Sequence, residues 1–311
     1  MIAFLLKRLA GGGITLFVIA TISFLMTRFA PGSPFTGERK LPPEVLRNLE
    51  RSHNLDKPLL IQYLLQMKGY LKGDLGVSFK YDGKRVNEIL LPSLGTSLQL
   101  GLLGFFFSLL VGIPLGILAA SRQNSAIDHA SSSVALVGIC IPNFLLGPLL
   151  VMLFALYWRL LPVAGWPETI NGEELQKLAL PILTLSAIHI AYVSRLTRTG
   201  MLDVVHKDYI RTARAKGVDE RSIYLKHALK NGITPVLSYA GPMAAGIFTG
   251  SLVVEKVFNI PGMGQHFVDS ILARDHAVTM GAVLIYSSLV ILFNLAVDVG
   301  YSLLDPRVRL T

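Results

Sequence analysis

Residues 203–235 read DVVHKDYIRTARAKGVDERSIYLKHALKNGITP, a basic and polar stretch between two long apolar segments. The flanking segments are too apolar to form a surface in water, so this stretch is where the chain meets an aqueous partner. Gly217 can adopt the left-handed conformation that ends a helix, and Asp219 can cap the start of a second helix that stops at Gly232. The sequence therefore predicts a helix, a sharp turn and a second helix.

This stretch has a basic side and an apolar side, and two interpretations follow. The basic side chains are Arg211, Arg214, Lys216, Arg221, Lys226 and Lys230. The apolar side is formed by Tyr209, Ile210, Ala213, Ile223, Tyr224 and Leu225. A basic loop lying on anionic lipid is one interpretation. A helix pressed into the groove of a partner protein is favoured, because the small Ala213 next to a helix-ending glycine suits close docking.

The composition places the rest of the chain in a lipid bilayer. Of 311 residues, 52% are hydrophobic and 16% are charged, against about 25% charged in soluble domains. The net charge of +9 is typical of the cytoplasmic loops of membrane proteins. No basic stripe with interleaved aromatic residues is present, so nucleic acid is not an expected partner. The single cysteine, Cys140, excludes an intrachain disulfide and a cysteine-based metal cluster.

Six apolar runs are long enough to cross a hydrocarbon core, which needs about 20 helical residues. They cover approximately residues 9–27, 97–120, 130–158, 178–194, 233–254 and 278–304. Lys7 and Arg8 before the first run, and Arg195 and Arg198 after the fourth, mark the inner side. We predict an all-α integral membrane protein, a six-span helical bundle with both termini cytoplasmic. A bend is expected in the third span near residues 141–143 or 147–148, where prolines interrupt the helix.

The predicted domain order is a first span in residues 1–30, an extracytoplasmic subdomain in residues 31–94 and a transmembrane domain in residues 95–311. The subdomain contains two helix candidates, LPPEVLRNLERSHNL at residues 41–55 and an amphipathic run at residues 58–71. Lys and Arg are frequent in this segment, but the positive-inside rule weakens for loops longer than about 60 residues.

The last outer loop contains FNIPGMGQ at residues 258–265. Proline followed by glycine suits a type II turn, in which Gly262 would take a positive φ. A tight turn between helices and a gate are both compatible with this pattern. The candidate gate residues are Phe258, Asn259, Pro261, Gly262 and Gly264.

No catalytic or cofactor-binding site is expected on this chain. The phosphate-loop pattern G-x-x-x-x-G-K-[ST] and the zinc-hydrolase pattern H-E-x-x-H are absent, as is a G-x-S-x-G elbow. The seven histidines are scattered along the sequence, and no metal ligands are predicted. Catalysis is therefore not expected.

Polar residues inside the spans are candidates for function by default. They are Asn143, His189, Asn294 and Asp298. A proton relay would need several carboxylates at membrane depth, so for His189 we favour a hydrogen bond between helices over transport chemistry. Asn294 and Asp298 are four residues apart on one helix face, and a structural bond to the basic inner loop is the favoured use.

The segments DYIRTARAKG at residues 208–217 and KHALKN at residues 226–231 resemble the cytoplasmic motif of permease subunits of ATP-binding-cassette (ABC) importers. In that family a short coupling helix enters a cleft of the ATPase. Thr212, Ala213 and Gly217 fall on the A, A and G positions of the motif.

The chain departs from the general motif at two positions, and in both it resembles one branch of the family. Arg211 stands where the motif has glutamate, and Lys230 where it has proline; both resemble the peptide and nickel importer branch. Further resemblances to the B-type oligopeptide permease subunits cover nearly the whole chain: APGSPFTGER at residues 30–39, GDLGVSF at 73–79, IPNF at 141–144, LPILTL at 180–185, FNIPGMGQ, and NLAVDVGYSLLDPRVR at 294–309.

The resemblance implies half of a type I importer in the bacterial inner membrane. Its partners would be a second, C-type permease, two cytoplasmic ABC ATPases that hold Mg-ATP, and an extracytoplasmic peptide-binding protein. The coupling residues would be Tyr209, Arg211, Thr212, Ala213, Arg214, Lys216, Gly217 and Val218. The cargo stays open among oligopeptides, dipeptides, glutathione and nickel complexes. Two rival classes are an ion-coupled secondary transporter, which would need an ion site in its spans, and a membrane-embedded enzyme, which would need a reactive constellation of side chains.

Overall fold

The computed structural model describes residues 2–29, 42–81, 83–169 and 171–304, and the side chains within them except at residues 2–3, 43, 134–137 and 301–304. The predicted segments at residues 30–39 and 305–309 lie outside this description. Within it the α-helices are α1 Ile2–Phe29, α2 Pro43–Ser52, α3 Leu59–Leu71, α4 Val86–Ser121, α5 Ala126–Cys140, α6 Asn143–Leu150, α7 Gly172–Leu175, α8 Ala179–Val205, α9 Asp208–Ala215, α10 Glu220–Ser222, α11 Leu229–Gly232, α12 Thr234–Val257, α13 Met263–Leu272 and α14 His276–Leu304.

Three shorter helical turns connect these elements. A π-helical turn, Val151–Tyr157, continues α6, and a second one, Ile223–Ala228, joins α10 to α11. A 3-10 turn, Gln176–Leu178, leads from α7 into α8. Residues 220–232 are therefore helical throughout, as the sequence predicts.

The long helices have the length and composition of membrane spans. Helices α1, α4, α12 and α14, and α8 together with the short turns before it, each pass this test within the described residues. Helix α5 and the helix that begins with α6 pass it only as a pair, which is bent by 109°. Pro142 lies at that break, with φ −62° and ψ 144°. The predicted all-α fold and the predicted bend near residues 141–143 are confirmed, and the described residues contain five candidate spans, or six if the bent pair crosses as one.

Two boundaries differ from the sequence prediction. Helix α4 begins at Val86, well before the apolar run that starts near residue 97. Helix α8 continues to Val205, beyond the apolar run that ends near residue 194. Polar residues can continue a helix beyond its apolar run, because water forms hydrogen bonds with their side chains. Hydropathy alone therefore underestimates the length of these helices.

The chain divides into two compact units. One contains Met1–Ser97 and Pro261–Leu292, and the other contains Leu98–Ile260 and Phe293–Arg309. The domain boundaries predicted from the sequence stay a prediction.

The first unit is organised around the buried carboxylate of Asp275. It accepts hydrogen bonds from the Ser78 hydroxyl at 2.5 Å and from the backbone N–H groups of Phe79 at 3.1 Å and Lys80 at 3.2 Å. It also accepts one from the N–H of Val278 at 3.2 Å, which caps the start of α14. This carboxylate therefore ties the loop around residues 77–80 to α14.

The core of the second unit lies where α4, α8 and α12 meet. Its buried side chains include Leu185, Val193, Met243 and Ile247. Two glycines of α4 allow α8 to approach closely: a Cβ at Gly112 would lie 2.7 Å from Val193, and one at Gly116 would lie 2.5 Å from the carbonyl oxygen of Ser194. The two glycines are four residues apart on one face of α4, the G-x-x-x-G spacing that permits such close approach of helices.

The type II turn predicted at Pro261 and Gly262 is wrong. Gly262 has φ −103° and ψ 175°, an extended conformation at the start of α13. The left-handed residue is Asn259, with φ 49°, just after α12. The N–H of Ile260 donates to the carbonyl of Glu255 at 2.8 Å, so this left-handed residue closes the C-terminus of α12.

Candidate coupling site

Helix α8 ends in a two-residue corner that leads directly into α9. His206 ends α8, and its Nδ1 lies 2.9 Å from the carbonyl oxygen of Leu202. Lys207 is extended, with φ −75° and ψ 153°, and precedes the first residue of α9. A short helix is thus attached to a membrane span with no flexible linker between them.

The C-terminus of α9 is closed by the glycine that the sequence singles out. Gly217 has φ 77°. Its N–H donates to the carbonyl of Arg214 at 2.9 Å, and the N–H of Val218 donates to the carbonyl of Ala213 at 3.2 Å. These two bonds define a Schellman motif, which favours glycine at the left-handed position. The predicted helix end is confirmed.

The start of the next helix is also as predicted. The carboxylate of Asp219 accepts a hydrogen bond from the N–H of Ser222 at 3.4 Å and caps α10.

One face of α9 is packed against the inner end of α8. Ile210 is fully buried in an apolar cluster, which we call the inner cluster. Its buried members are Ala120, Met201, Val204, Val205, Ile210, Ile223 and Ala228. Ala213 and Val218 are partly buried against it. These two predicted coupling residues therefore hold α9 to its own chain, and their small side chains set how closely it packs.

The opposite face of α9 is exposed and carries the other predicted coupling residues. These are Tyr209, Arg211, Thr212, Arg214, Lys216 and Gly217. The Tyr209 hydroxyl accepts a hydrogen bond from Nδ2 of Asn231 at 3.0 Å. This bond holds the exposed Tyr209 side chain against α11.

The two arginines on this face are held differently. Arg214 forms a bidentate pair with Glu220, with Nε 2.7 Å from Oε1 and the second nitrogen 3.3 Å from Oε2. Its hydrogen bond to Glu220 raises the pKa of Arg214. Arg211 lies 3.4 Å from Asp208, but both side chains are largely in solvent, where such a pair is weak. The Arg211 guanidinium is thus available to an acidic partner.

A close backbone contact fixes the return of the chain toward the membrane. A Cβ on Gly232 would lie 3.2 Å from the carbonyl oxygen of Gly200, and a Cβ on Gly200 would overlap the carbonyl oxygen of Gly232. Helices α8 and α11 can approach this closely only because both positions are glycine. Sequence reasoning identified Gly232 as a helix stop and missed its contact with Gly200.

A buried ion pair ties α8 to α5. Arg198 donates to both oxygens of Asp128, at 2.6 and 2.7 Å. Asp128 is 2% exposed and also accepts from the N–H of Asn124 at 2.9 Å. Because Arg198 lies on the same helix that carries α9 at its end, the pair links the span that bears the exposed face to a neighbouring span. Sequence reasoning used Arg198 only as a marker of the inner side.

The polar residues inside the spans lie around α12 at separate positions. Nδ1 of His189 is 3.0 Å from the hydroxyl of Tyr239, so the expected hydrogen bond between helices is present. A Cβ on Gly246 would lie 3.1 Å from the His189 ring, one on Gly250 would lie 3.5 Å from the Asn143 amide nitrogen, and one on Gly241 would lie 3.2 Å from the Asn294 amide oxygen. Each glycine of α12 thus accommodates one polar side chain. The bond predicted for Asn294 and Asp298 to the inner loop stays a prediction.

The candidate gate residues are mostly enclosed. Phe258 is 1% exposed, and its carbonyl accepts a hydrogen bond from the N–H of Gly165 at 2.9 Å. Gly262 and Gly264 are buried, whereas Asn259 and Pro261 are exposed. The segment is a shaped connection in this conformation, and its role as a gate stays a prediction.

The long apolar helices define an integral membrane protein, and the short exposed helix at the end of α8 gives it a surface on which a partner can dock. The chain belongs to the family described as binding-protein-dependent transport system inner membrane component, which it matches over residues 112–310. Residues 1–100 match the N-terminal family of the same transport systems. The chain is accordingly a multi-span protein of the inner membrane.

Full-length relatives are similar to this chain. The oligopeptide transport system permease protein OppB of Escherichia coli (strain K12) is 45% identical over 309 residues, which are 99% of this chain and 100% of that protein. OppB of Haemophilus influenzae is 42% identical over the same shares. The dipeptide transport system permease protein DppB of Bacillus subtilis (strain 168) is 41% identical over 100% of this chain and 99% of that protein.

The fold also matches a solved transporter. Inward facing conformations of the MetNI methionine ABC transporter align with a TM-score of 0.58 at 17% identity, over 69% of this chain and 95% of that chain. The architecture is therefore that of a type I ABC importer permease.

Proposed function

We propose that this chain is one permease subunit of an ATP-driven peptide importer and forms half of the translocation pathway. The observation that carries the proposal is its similarity over 99% of its length to the oligopeptide permease of E. coli, at 45% identity. The dipeptide permease of B. subtilis, at 41% identity, favours the same cargo class with a shorter peptide. Glutathione and nickel complexes are the remaining alternatives, and no structural feature favours them.

The complete importer contains other subunits. The second half of the pathway comes from a similar C-type permease, and an extracytoplasmic peptide-binding protein delivers the cargo. Two cytoplasmic ABC ATPases bind and hydrolyse Mg-ATP, because this chain carries no phosphate-loop pattern of its own. The family description, a binding-protein-dependent transport system, supports this assembly.

The exposed face of α9 is the contact with an ATPase. On the buried side of α9, Ile210 and the inner cluster attach the helix to α8. On the exposed side, Arg211, Lys216 and Tyr209 face outward. Because α9 is packed against α8 with no flexible linker between them, a displacement of α9 moves α8 with it. From α8 it reaches α5 through the Asp128–Arg198 pair and α12 through the His189–Tyr239 hydrogen bond.

The scattered polar residues favour an importer over an ion-coupled transporter. Asn143, His189 and Asn294 each contact a different glycine of α12 and do not converge on one point. A coupling-ion site needs several oxygen ligands at one place. Their positions support a packing role.

The decisive experiment reverses the charge on the exposed face. Arg211→Glu is compared with the wild type and with Arg122→Glu, which changes an exposed arginine between α4 and α5. The full importer is reconstituted with its binding protein, and uptake of di- and tripeptides and ATP hydrolysis are measured together. Arg211→Glu is expected to lower ATP-dependent uptake about tenfold, because it repels an acidic cleft, whereas Arg122→Glu leaves uptake near the wild-type value.

Two outcomes would contradict the proposal. Unchanged uptake by Arg211→Glu in a correctly inserted complex would move the ATPase contact away from this face. Peptide flux driven by an ion gradient through the purified chain alone would identify a secondary transporter.

A further inference from the structure

Helix α3, in the extracytoplasmic segment, turns its polar side chains inward. Gln62 is 7% exposed, and its Nε2 donates to the carbonyls of Leu55 at 3.1 Å and Lys57 at 2.6 Å. Nε2 of Gln66 donates to the Tyr70 hydroxyl at 2.7 Å. These groups border a cavity of about 260 Å³ whose lining also includes Arg28, His53 and His276. The inner face of α3 therefore directs its polar side chains toward a cavity with a mixed polar and apolar lining.

The outer face of α3 is apolar. Its exposed aliphatic side chains include Leu60, Ile61, Leu64 and Leu71, between 44% and 90% exposed. Lys68 is the one charged residue within α3. A helix surrounded by water orients its aliphatic side chains toward the protein and its polar ones outward. The reverse orientation is the arrangement expected of a helix in contact with lipid, where polar groups must find partners inside the protein.

Contacts with α1 set the level of α3 in the bilayer. The hydroxyls of Thr21 and Tyr63 are 2.8 Å apart, and the rings of Phe24 and Tyr63 meet edge to face at 5.4 Å between centroids. Thr21 lies eight residues before the end of α1 at Phe29, about 12 Å along a helix that rises 1.5 Å per residue. Thr21 is thus within the hydrocarbon layer, and Tyr63 reaches into that layer to meet it.

The α1 surface next to this contact is apolar and exposed. Helix α1 is a candidate span with only 11% of its apolar window buried, and it exposes Ile14, Phe17, Ile22 and Leu25. The apolar face of α3 lies next to this surface, at the level of the outer part of α1.

We propose that α3 lies in the outer leaflet with its leucine face in the acyl chains of the phospholipids. Lys68 on the helix and Lys72 just after it extend their ammonium groups to the headgroups. The segment between the first two spans is then held down on the bilayer, which fixes the height of its polar cavity above the membrane. A protein partner is the alternative occupant of the leucine face.

Nitroxide accessibility in the reconstituted full-length chain tests this placement. In a Cys140→Ser background, single cysteines replace Leu60 and Leu64 on α3, and Val45 on the neighbouring helix α2 serves as the matched exposed aliphatic control. Each is spin-labelled in phospholipid vesicles, and collisions with oxygen, which concentrates in lipid, are compared with collisions with a water-soluble nickel chelate. Labels at Leu60 and Leu64 are expected to favour oxygen, and the label at Val45 to favour nickel.

Two results would overturn the proposal. Preference for nickel at Leu60 and Leu64 would place α3 in water, and protection from both reagents would show that a protein covers the leucine face. The unmodified chain supplies a second measurement if the labelled variants misfold. Phospholipids with a photoreactive diazirine on the acyl chain are expected to form adducts on residues 59–65, and their absence from these residues, with adducts present on α1, would equally contradict the placement.

Discussion

Helices α9 and α3 are both short amphipathic helices outside the membrane spans, and they expose opposite chemistry. Helix α9 buries Ile210 and exposes Arg211 and Lys216. Helix α3 buries Gln62 and exposes Leu60 and Leu64. Periodicity identifies both as amphipathic helices, but it does not say which face lies inward.

The medium outside each helix therefore decides which of its two faces points outward. An aqueous surface favours the charged face of α9 outward, where an acidic protein can bind it. A hydrocarbon surface favours the apolar face of α3 outward and leaves its glutamines to find partners inside. Substitutions of apolar residues should therefore reduce local stability more in α9, where Ile210 is buried, than in α3, where the leucines face outward.

The largest effect is expected at Ile210. Ile210→Ala removes a fully buried side chain from the inner cluster and should reduce the local stability of α9 by about 2–5 kcal/mol. Leu64→Ala on α3 is the counterpart on an outward face and should cost much less, because lipid fills the space. Hydrogen exchange of residues 206–218 and 59–71 in detergent micelles measures both.

Equal loss of protection from hydrogen exchange in the two helices would contradict the difference proposed between α9 and α3. It would mean that the leucines of α3 pack against protein as Ile210 does. A loss of protection confined to α9 would support the proposed difference between the two helices.

An intermediate effect is expected at the inward face of α3. Gln62→Leu leaves the carbonyls of Leu55 and Lys57 without their side-chain donor and should cost about 1–3 kcal/mol. Lys68→Leu, on the exposed surface of the same helix, is the control and should change local stability little. Hydrogen exchange of residues 59–71 is again the readout. A gain in stability from Gln62→Leu would argue that the interior beneath α3 is apolar.

Much of this architecture follows from local sequence patterns. The spans, the bend at Pro142, the two helices before α4 and the end of α9 at Gly217 each depend on residues close together in the chain. Hydropathy and turn chemistry act over such distances, so these features could be predicted.

The features that were missed depend on tertiary packing. Asp128 and Arg198 are 70 residues apart, and no sequence spacing pairs a carboxylate with a guanidinium over that distance. The contact between Gly200 and Gly232 likewise requires knowing that α8 and α11 adjoin. The error at Gly262 has a local cause: Asn259 takes the left-handed position after α12, so Gly262 is free to begin α13 in an extended conformation.

The smallest effect is expected where α9 ends. Gly217 at φ 77° has open space around it, so Gly217→Ala introduces backbone strain without a steric clash and should cost about 1 kcal/mol. Gly95→Ala in α4 also enters open space, but at a helical φ, and should be neutral or slightly stabilising. Exchange rates at residues 213–218 distinguish the two. Because the strain falls on the turn between the exposed face and α10, Gly217→Ala should loosen α9 at its C-terminus while Ile210 still holds its other end. Faster exchange that extends back to α8 would show instead that the whole connection depends on this one turn.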